Sequence, residues 1–503
     1  MLLVRQMKRF FSSDLRNLKP FDEIPGPKSL PVIGTLYQYL PYIGRYKYEK
    51  LHVNGAMKMA RYGSLVREEV VPGVNVLWVF RPEDIAEIFR MESRERGSHP
   101  ERRSHLALQK YRLDRSAVYN TGGLLPTNGP DWWRIRKEFQ KGLSRPQSVR
   151  CYLEETDNVV KEFIKLSVQA DHDDFLPLLA RLYLELTCLV AFDVRLNSLS
   201  PDEMRSDSRS SKLIKAAKTT NSAILKLDNG PRIWRYFDTP LYKKFCNAQS
   251  YMEEVAVDLV TQKIHSMRTK GISNPGSLLE MYLSNPMLNE KDVMGMACDM
   301  LLAGIDTTTN STSFALYHLG KSVDAQEKLH REALSLLSSS DDKITDAILN
   351  KASYTKAVLK ETFRLNPISV GVGRILQTDA ILSGYHIPKG TVIVTQNQVI
   401  CRRDEHFDDP NEFKPERWIR GSDAAPTTPY NPFLVLPFGH GARSCIARRL
   451  AEQNMQIVML RICRDLKFTW KEKDLDCVSL LINVPDAPIK INFRSRNKQE
   501  NSC

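Results

Sequence analysis

Nothing in the first twenty residues of this chain could span a bilayer, and its cysteines do not form a recognisable framework. The longest apolar run there is residues 2–4, far short of the ~20 residues that a membrane-spanning helix needs. The nine cysteines (151, 188, 246, 298, 401, 445, 463, 477 and 503) are odd in number, widely scattered and free of any CxxC pair. That argues against a disulfide scaffold or a thiolate zinc site and for a reducing compartment. There is no interleaved aromatic and basic tract of the RNA-binding kind, so nucleic acid is the weakest explanation of the charge. No repeat is visible, and no linker is long enough to separate domains.

What remains is a chain of 503 residues with ordinary globular composition, 42% hydrophobic and 26% charged, and a net charge of +13. Part of the charge sits in residues 1–20, where Arg5, Lys8, Arg9, Arg16 and Lys19 face a single acid, Asp14. Leu2, Leu3, Met7, Phe10 and Phe11 can share one helical face opposite those bases, the composition of a mitochondrial transit peptide. Without that segment the chain keeps about +9, which suits an anionic membrane or an acidic partner. A proline-rich lead-in follows at 21–36, too rich in proline for helix or central strand. Residues 37–497 read as one large domain, and 498–503 as a polar tail.

Apolar residues at three- and four-residue spacing predict helices over 83–91, 131–143, 152–168, 175–191, 243–269 and 292–320. Short strands are expected at 65–71, 75–80, 391–397 and 488–493. The polar stretch at 198–211 reads as a loop. The fold class is therefore mainly α with a minor β portion.

Four stretches carry chemistry. In "DMLLAGIDTTTNSTSF" (299–314) an apolar helix is interrupted by Gly304, Asp306, Thr307, Thr308 and Thr309, poor helix formers. Hydroxyls bonding back to the preceding turn could open a groove, and an acid beside them could deliver protons; an internally satisfied kink is the plainer alternative. In "AVLKETFRLNP" (357–367) Glu361 and Arg364 stand one turn apart and can pair. A further arginine, Arg417, lies in the aromatic-rich "NEFKPERWIRG" (411–421), so one glutamate with two arginines could pin coil to helix. Finally, "PFGHGARSCIARRLAEQ" (437–453) sets Cys445 among small residues, with Arg443, Arg448 and Arg449 around it. Taken alone it could be a half-buried structural cysteine before a basic helix.

Together, in this order and spacing, the four stretches resemble the cytochrome P450 family, and the resemblance runs from "IPGP" (24–27) almost to the end of the chain. It implies a single haem-thiolate domain in which Cys445 is the axial thiolate of haem b iron, the ligation under which thiolate donation favours O–O cleavage. The family usually has glycine where this chain has Ala447. Arg443, Trp132 and Arg136 of "DWWRIRKEF", and Arg374 of "VGVGRILQTDA", are then the partners of the haem propionates. Thr307 and Asp306 match the oxygen-activating pair, which implies a monooxygenase.

The missing apolar anchor and the residual charge resemble the mitochondrial branch, whose donor is a small acidic ferredoxin with an NADPH-dependent reductase. Lys356, Lys360, Arg448 and Arg449 match its docking positions. The aromatic and basic stretch at 230–245 could dip into the inner membrane from the matrix side. Stretches such as "GLLPTNGPDWWRIR" and "LLINVPDAPI" are similar to arthropod ecdysteroid C-22 hydroxylases. That implies conversion of 2,22-dideoxyecdysone (ketodiol) to 2-deoxyecdysone (ketotriol). Substrate contacts are expected from 105–125, 297–307, 368–373 and 480–485, largely apolar and with few anchors. Two alternatives remain: a mitochondrial P450 acting on another ecdysteroid carbon or on xenobiotics, and a non-catalytic haem-thiolate sensor or sterol-binding protein.

Overall fold

The computed structural model describes residues 18–94, 99–168, 173–230, 232–270 and 275–496. Residues 1–17 of the expected transit peptide and the tail at 498–503 lie outside them. The chain forms two compact units. Of the described residues, one unit comprises those within 18–103, 370–410 and 430–444; the other comprises those within 104–369, 411–429 and 445–496.

The first unit is built on a four-stranded sheet. Strand Leu65–Val71 turns back antiparallel onto Val74–Val79, whose far edge pairs in parallel with Val392–Thr395. Gly373–Ile375 closes the sheet antiparallel, with Arg374 opposite Ile393. The turn between the first two strands holds Gly73 at φ +78°, a conformation that glycine adopts without a Cβ penalty. Helix Leu51–Tyr62 buries Lys58 beneath the sheet. There Lys58 pairs with Glu68, and Glu68 also accepts from the Trp78 indole at 2.8 Å and the Thr35 hydroxyl at 3.0 Å. A buried charge is tolerated when paired and bonded in this way.

The second unit is helical, and its spine is the 32-residue helix Glu290–Lys321. A capping box starts it: Asn289 accepts from the Asp292 amide while Asp292 accepts from the Asn289 amide. The apolar helix Leu176–Phe192 packs along it. Gly304 permits the close approach, since a Cβ there would lie 2.8 Å from the Thr187 hydroxyl. Helices Arg209–Asn229 and Pro240–Lys270 pack on each other, and Arg448–Asp465 packs against Val323–Leu336 and Leu153–Ser167.

The six expected helices are present as Pro82–Arg94, Gly129–Leu143, Leu153–Ser167, Leu176–Phe192, Pro240–Lys270 and Glu290–Lys321. Two expectations are corrected. The stretch at 198–211 stops being a loop at Arg209, where Ser208 accepts from the Ser211 amide and starts a helix. The last strand is Asn492–Ser495, later than expected, because its register is set by pairing with Leu466–Thr469. No described helix is long and apolar enough to cross a membrane.

Candidate active site

Helix Arg448–Asp465 begins three residues after Cys445. Cys445 is accessible to solvent, yet enough protein surrounds it that burial pushes its thiol up; the Ala447 amide and the Arg136 guanidinium pull it back down. A nearby cation and an amide donor are the features that favour a thiolate.

Arg136 comes from helix Gly129–Leu143, one turn after Trp132, and both are buried. Its Nε donates to Gln140 Oε1 at 3.1 Å. Among the described residues no carboxylate pairs with it, and burial pulls its pKa down to about 10, with Cys445 acting in the opposite direction. A buried guanidinium without a counter-ion favours an acidic ligand group.

In the first unit, Arg374 donates through Nε to Glu92 at 2.5 Å and through Nη2 to the His440 carbonyl at 3.0 Å. Arg443 donates through Nε to the Pro100 carbonyl at 2.8 Å and is 9% exposed. Glu92 thus pairs with Arg374 and also feels the charge of Arg443. Burial raises the Glu92 carboxyl while Arg374 and Arg443 lower it, and its Oε2 is buried without a hydrogen-bond partner. Gly441, at φ +72°, makes the turn that carries His440 and Arg443; a Cβ there would crowd Glu92 Oε2 at 3.3 Å. Arg374 and Arg443 are cations that suit a ligand carrying acidic groups.

On the spine helix the weakened segment is continuous α-helix. Thr307 donates to the Ala303 carbonyl and Thr308 to the Gly304 carbonyl, each at 2.6 Å. Ser311 and Asn310 bond back in the same way. Met300, Ala303, Gly304 and Thr307 stay partly accessible while most of their neighbours are buried, so helical spacing leaves one open stripe. Asp306 accepts from the Asn221 side-chain amide at 2.8 Å; burial raises its carboxyl, and Asn221 and Lys218 lower it.

Glu361 is fully buried and accepts from Arg364 at 2.7 and 2.9 Å, Arg417 at 2.9 Å, the Trp418 indole at 2.8 Å and the Lys414 amide at 3.1 Å. The expected pinning of coil to helix is present. Lys356 donates to the Asn350 carbonyl, exposed Lys360 lies 5.0 Å from the Trp418 ring, and Arg448 pairs with Glu452 beside exposed Arg449. Sequence reasoning missed Glu92 and Asn221. Only a long-range pairing signal could have found them.

The cytochrome P450 family pattern matches residues 24–493. Cytochrome P450 302a1, mitochondrial, of Drosophila melanogaster is 49% identical over 95% of this chain and 96% of its own length. Probable cytochrome P450 12a5, mitochondrial, of the same species is 31% identical over 94% and 91%. Probable cytochrome P450 301a1, mitochondrial, is 29% identical over 96% and 88%. With a cysteine backed by an amide and a guanidinium, and relatives along almost its whole length, this chain belongs to the cytochrome P450 family of haem-thiolate monooxygenases.

Proposed function

We propose that this protein is a mitochondrial steroid hydroxylase acting at C-22 of an ecdysteroid precursor, converting ketodiol to ketotriol, with residues 37–497 as one catalytic domain. The observation that carries the haem assignment is Arg136, a buried cation with no carboxylate partner among the described residues, whose charge is felt at Cys445. The steroid assignment rests on the motif resemblance and on the similarity to cytochrome P450 302a1.

In this reading Cys445 would bind the haem iron through its thiolate, and the resemblance implies that Arg443, Arg374, Trp132 and Arg136 would meet the propionates. When bound, haem supplies the activation of O₂ that no side chain can provide. Cys445 needs its proton removed, and the Ala447 amide and Arg136 stabilise the resulting charge. Thr307 holds its hydroxyl at the open stripe and can pass a proton forward, replenished from Asp306, whose raised carboxyl keeps proton exchange within reach.

Electrons arrive from a ferredoxin and its NADPH-dependent reductase, the ferredoxin docking on Lys356, Lys360, Arg448 and Arg449. Ile233, Tyr236 and Phe237, all well exposed, support contact of 230–245 with the matrix face of the inner membrane. The test is incubation with ketodiol, ferredoxin, reductase and NADPH, followed by mass spectrometry. Ketotriol is the expected product, and a hydroxyl elsewhere would refute the C-22 assignment. Reduced protein with CO should show the thiolate-type Soret shift. Cys445→Ala should abolish it.

A further inference from the structure

Arg112 sits on the short helix Leu106–Leu113 with no exposed surface. One nitrogen does all of its observed bonding: Nη1 donates to the Gly122 carbonyl at 2.9 Å and to Asp299 Oδ1 at 2.7 Å. The other oxygen of Asp299 accepts from the Leu124 amide at 2.7 Å and the Leu125 amide at 3.4 Å. Together these bonds pin the 122–125 loop between two helices. They leave Nε and Nη2 buried with no hydrogen-bond partner. A guanidinium carries five N–H donors in a fixed fork; here the outer edge of the fork is unused. Buried donors are nearly always met. A lysine could form the Nη1 bonds alone, so the loop pin does not account for an arginine.

The surroundings define what could meet that edge. Tyr119 packs its ring 5.2 Å from the guanidinium carbon, and its hydroxyl lies 3.5 Å from Cys298 Sγ. Leu106, Val118, Leu125, Met300 and Leu481 are partly buried apolar residues on the same core cluster. Asp299 adjoins Met300, the first residue of the open stripe on the spine helix. Thr307 lies eight residues further along, about 12 Å at the helical rise. A fused-ring ligand with one end at Thr307 would carry its far end to this region. Asp299 already balances the charge of Arg112, so an anion has no advantage here. A neutral acceptor, a ketone or hydroxyl oxygen, fits.

We propose that the Nε–Nη2 edge of Arg112 is the polar anchor for a ring oxygen of the substrate and so decides which polycyclic ligands are accepted. The inference rests on the steroid reading above. It replaces the expectation of a largely anchorless apolar pocket with one fixed polar contact. A site that offers buried donors to a substrate oxygen discriminates against the analogue lacking it, because those donors stay unmet.

The test uses the haem-loaded full-length protein and the substrate-induced spin-state change, which reads binding without turnover. Ketodiol is compared with the same steroid lacking its ring ketone, and with one lacking the hydroxyl at the opposite ring. In the parent, removal of one of these oxygens should weaken binding roughly tenfold or more. Arg112→Lys keeps a cation for Asp299 but removes the fork edge, and the gap between the two ligands should collapse to within about threefold. An unchanged gap in a variant of normal CO spectrum would overturn the proposal and leave Arg112 as a loop pin. If Arg112→Lys loads no haem, Gly123→Ala serves instead, since a Cβ there would lie 2.2 Å from Arg112 Nη1 and must displace it. The same collapse is expected, with the same refutation. A parent that binds ketodiol with no gap overturns the anchor alone; a parent that binds none of these steroids overturns the steroid reading and the anchor with it.

Discussion

Glu361→Gln tests how the helix before the haem region is held. The carboxylate accepts five bonds, from Arg364 twice, from Arg417, from the Trp418 indole and from the Lys414 amide. Arg364 and Arg417 are 0% and 3% exposed, so neither can turn to water for compensation. Glutamine keeps one acceptor for the indole or the amide, but it places an NH₂ against a guanidinium and leaves two buried cations without a counter-charge. Breaking a buried pair by removing one partner costs about 3–5 kcal/mol, a large share of the roughly 5–15 kcal/mol that holds a domain together. Burial pushes the Glu361 carboxyl up, and its partners more than reverse this, leaving it below the ordinary carboxylate range. Its contribution is therefore present above about pH 4.3 and lost as pH falls through the lower folded value. Urea unfolding at pH 7.5 is the primary assay, with the CO spectrum reporting haem retention. Repeating the unfolding at descending pH should show the variant losing less than the parent. A stability loss under about 1 kcal/mol at pH 7.5 would refute the reasoning, because a solvated ion pair is worth no more than that.

Lys356→Gln with Lys360→Gln should slow reduction by ferredoxin and weaken its salt dependence while leaving the steroid-induced spectral change intact; equal rates at low ionic strength would assign both lysines to a solvated face. Thr307→Ala should keep haem and substrate binding but lower the product formed per NADPH consumed, and an unchanged ratio would assign Thr307 to packing. Asp228 accepts from the amides of His105, Leu106 and Ala107, and burial raises its carboxyl to about 6 against the pull of those amides and Arg232. The folded chain then holds this proton more tightly than the unfolded chain does. Stability from this group should fall by up to roughly 3 kcal/mol as pH rises from about 4 to about 6. Asp228→Asn should remove that slope from the Tm–pH curve, and parallel curves for the two proteins would count against it.

Local pattern made the helices and the cysteine stretch legible, because both are written in neighbouring residues. Helix Gly129–Leu143 was located within two residues from periodicity alone. Helix Arg209–Asn229 escaped because it opens on Arg-Ser-Ser-Lys, polar residues that read as a continuing loop, and its N-cap serine lies among other serines. The last strand was misplaced because Ile489 is apolar for another reason. It is buried, and its carbonyl and amide bond to the Phe175 amide and the Asp174 carboxylate instead of a strand. In the site, Glu361 and Arg364 were legible at three residues' separation, but Arg374 and Glu92 are 282 residues apart and Arg112 and Asp299 are 187 apart. No periodicity links such pairs. Family resemblance reached Arg374 and Arg443 and passed over Glu92, the acid that faces them.

Two side chains on helix Arg209–Asn229 connect the parts of the second unit that sequence reasoning treated separately. Asn221 donates to Asp306, the acid beside Thr307. Asp228, seven residues later and so on the same helical face, accepts the first amides of the helix that carries Arg112. These amides are the donors a helix start leaves unmet, and a carboxylate there also opposes the helix dipole favourably. The same helix is fixed a second time by Tyr111, whose hydroxyl lies 3.0 Å from Ser250 and 3.1 Å from Glu253 on Pro240–Lys270. Arg209–Asn229 therefore touches both the acid beside Thr307 and the helix that carries Arg112, while Pro240–Lys270 meets that short helix through Tyr111 and through Lys110, whose ammonium lies 5.9 Å from the Tyr242 ring. Asp306 and the helix that carries Arg112 thus share one neighbouring element. The short helix Leu106–Leu113, eight residues long and marginal by itself, holds its place because three long helices each bind it through a polar side chain.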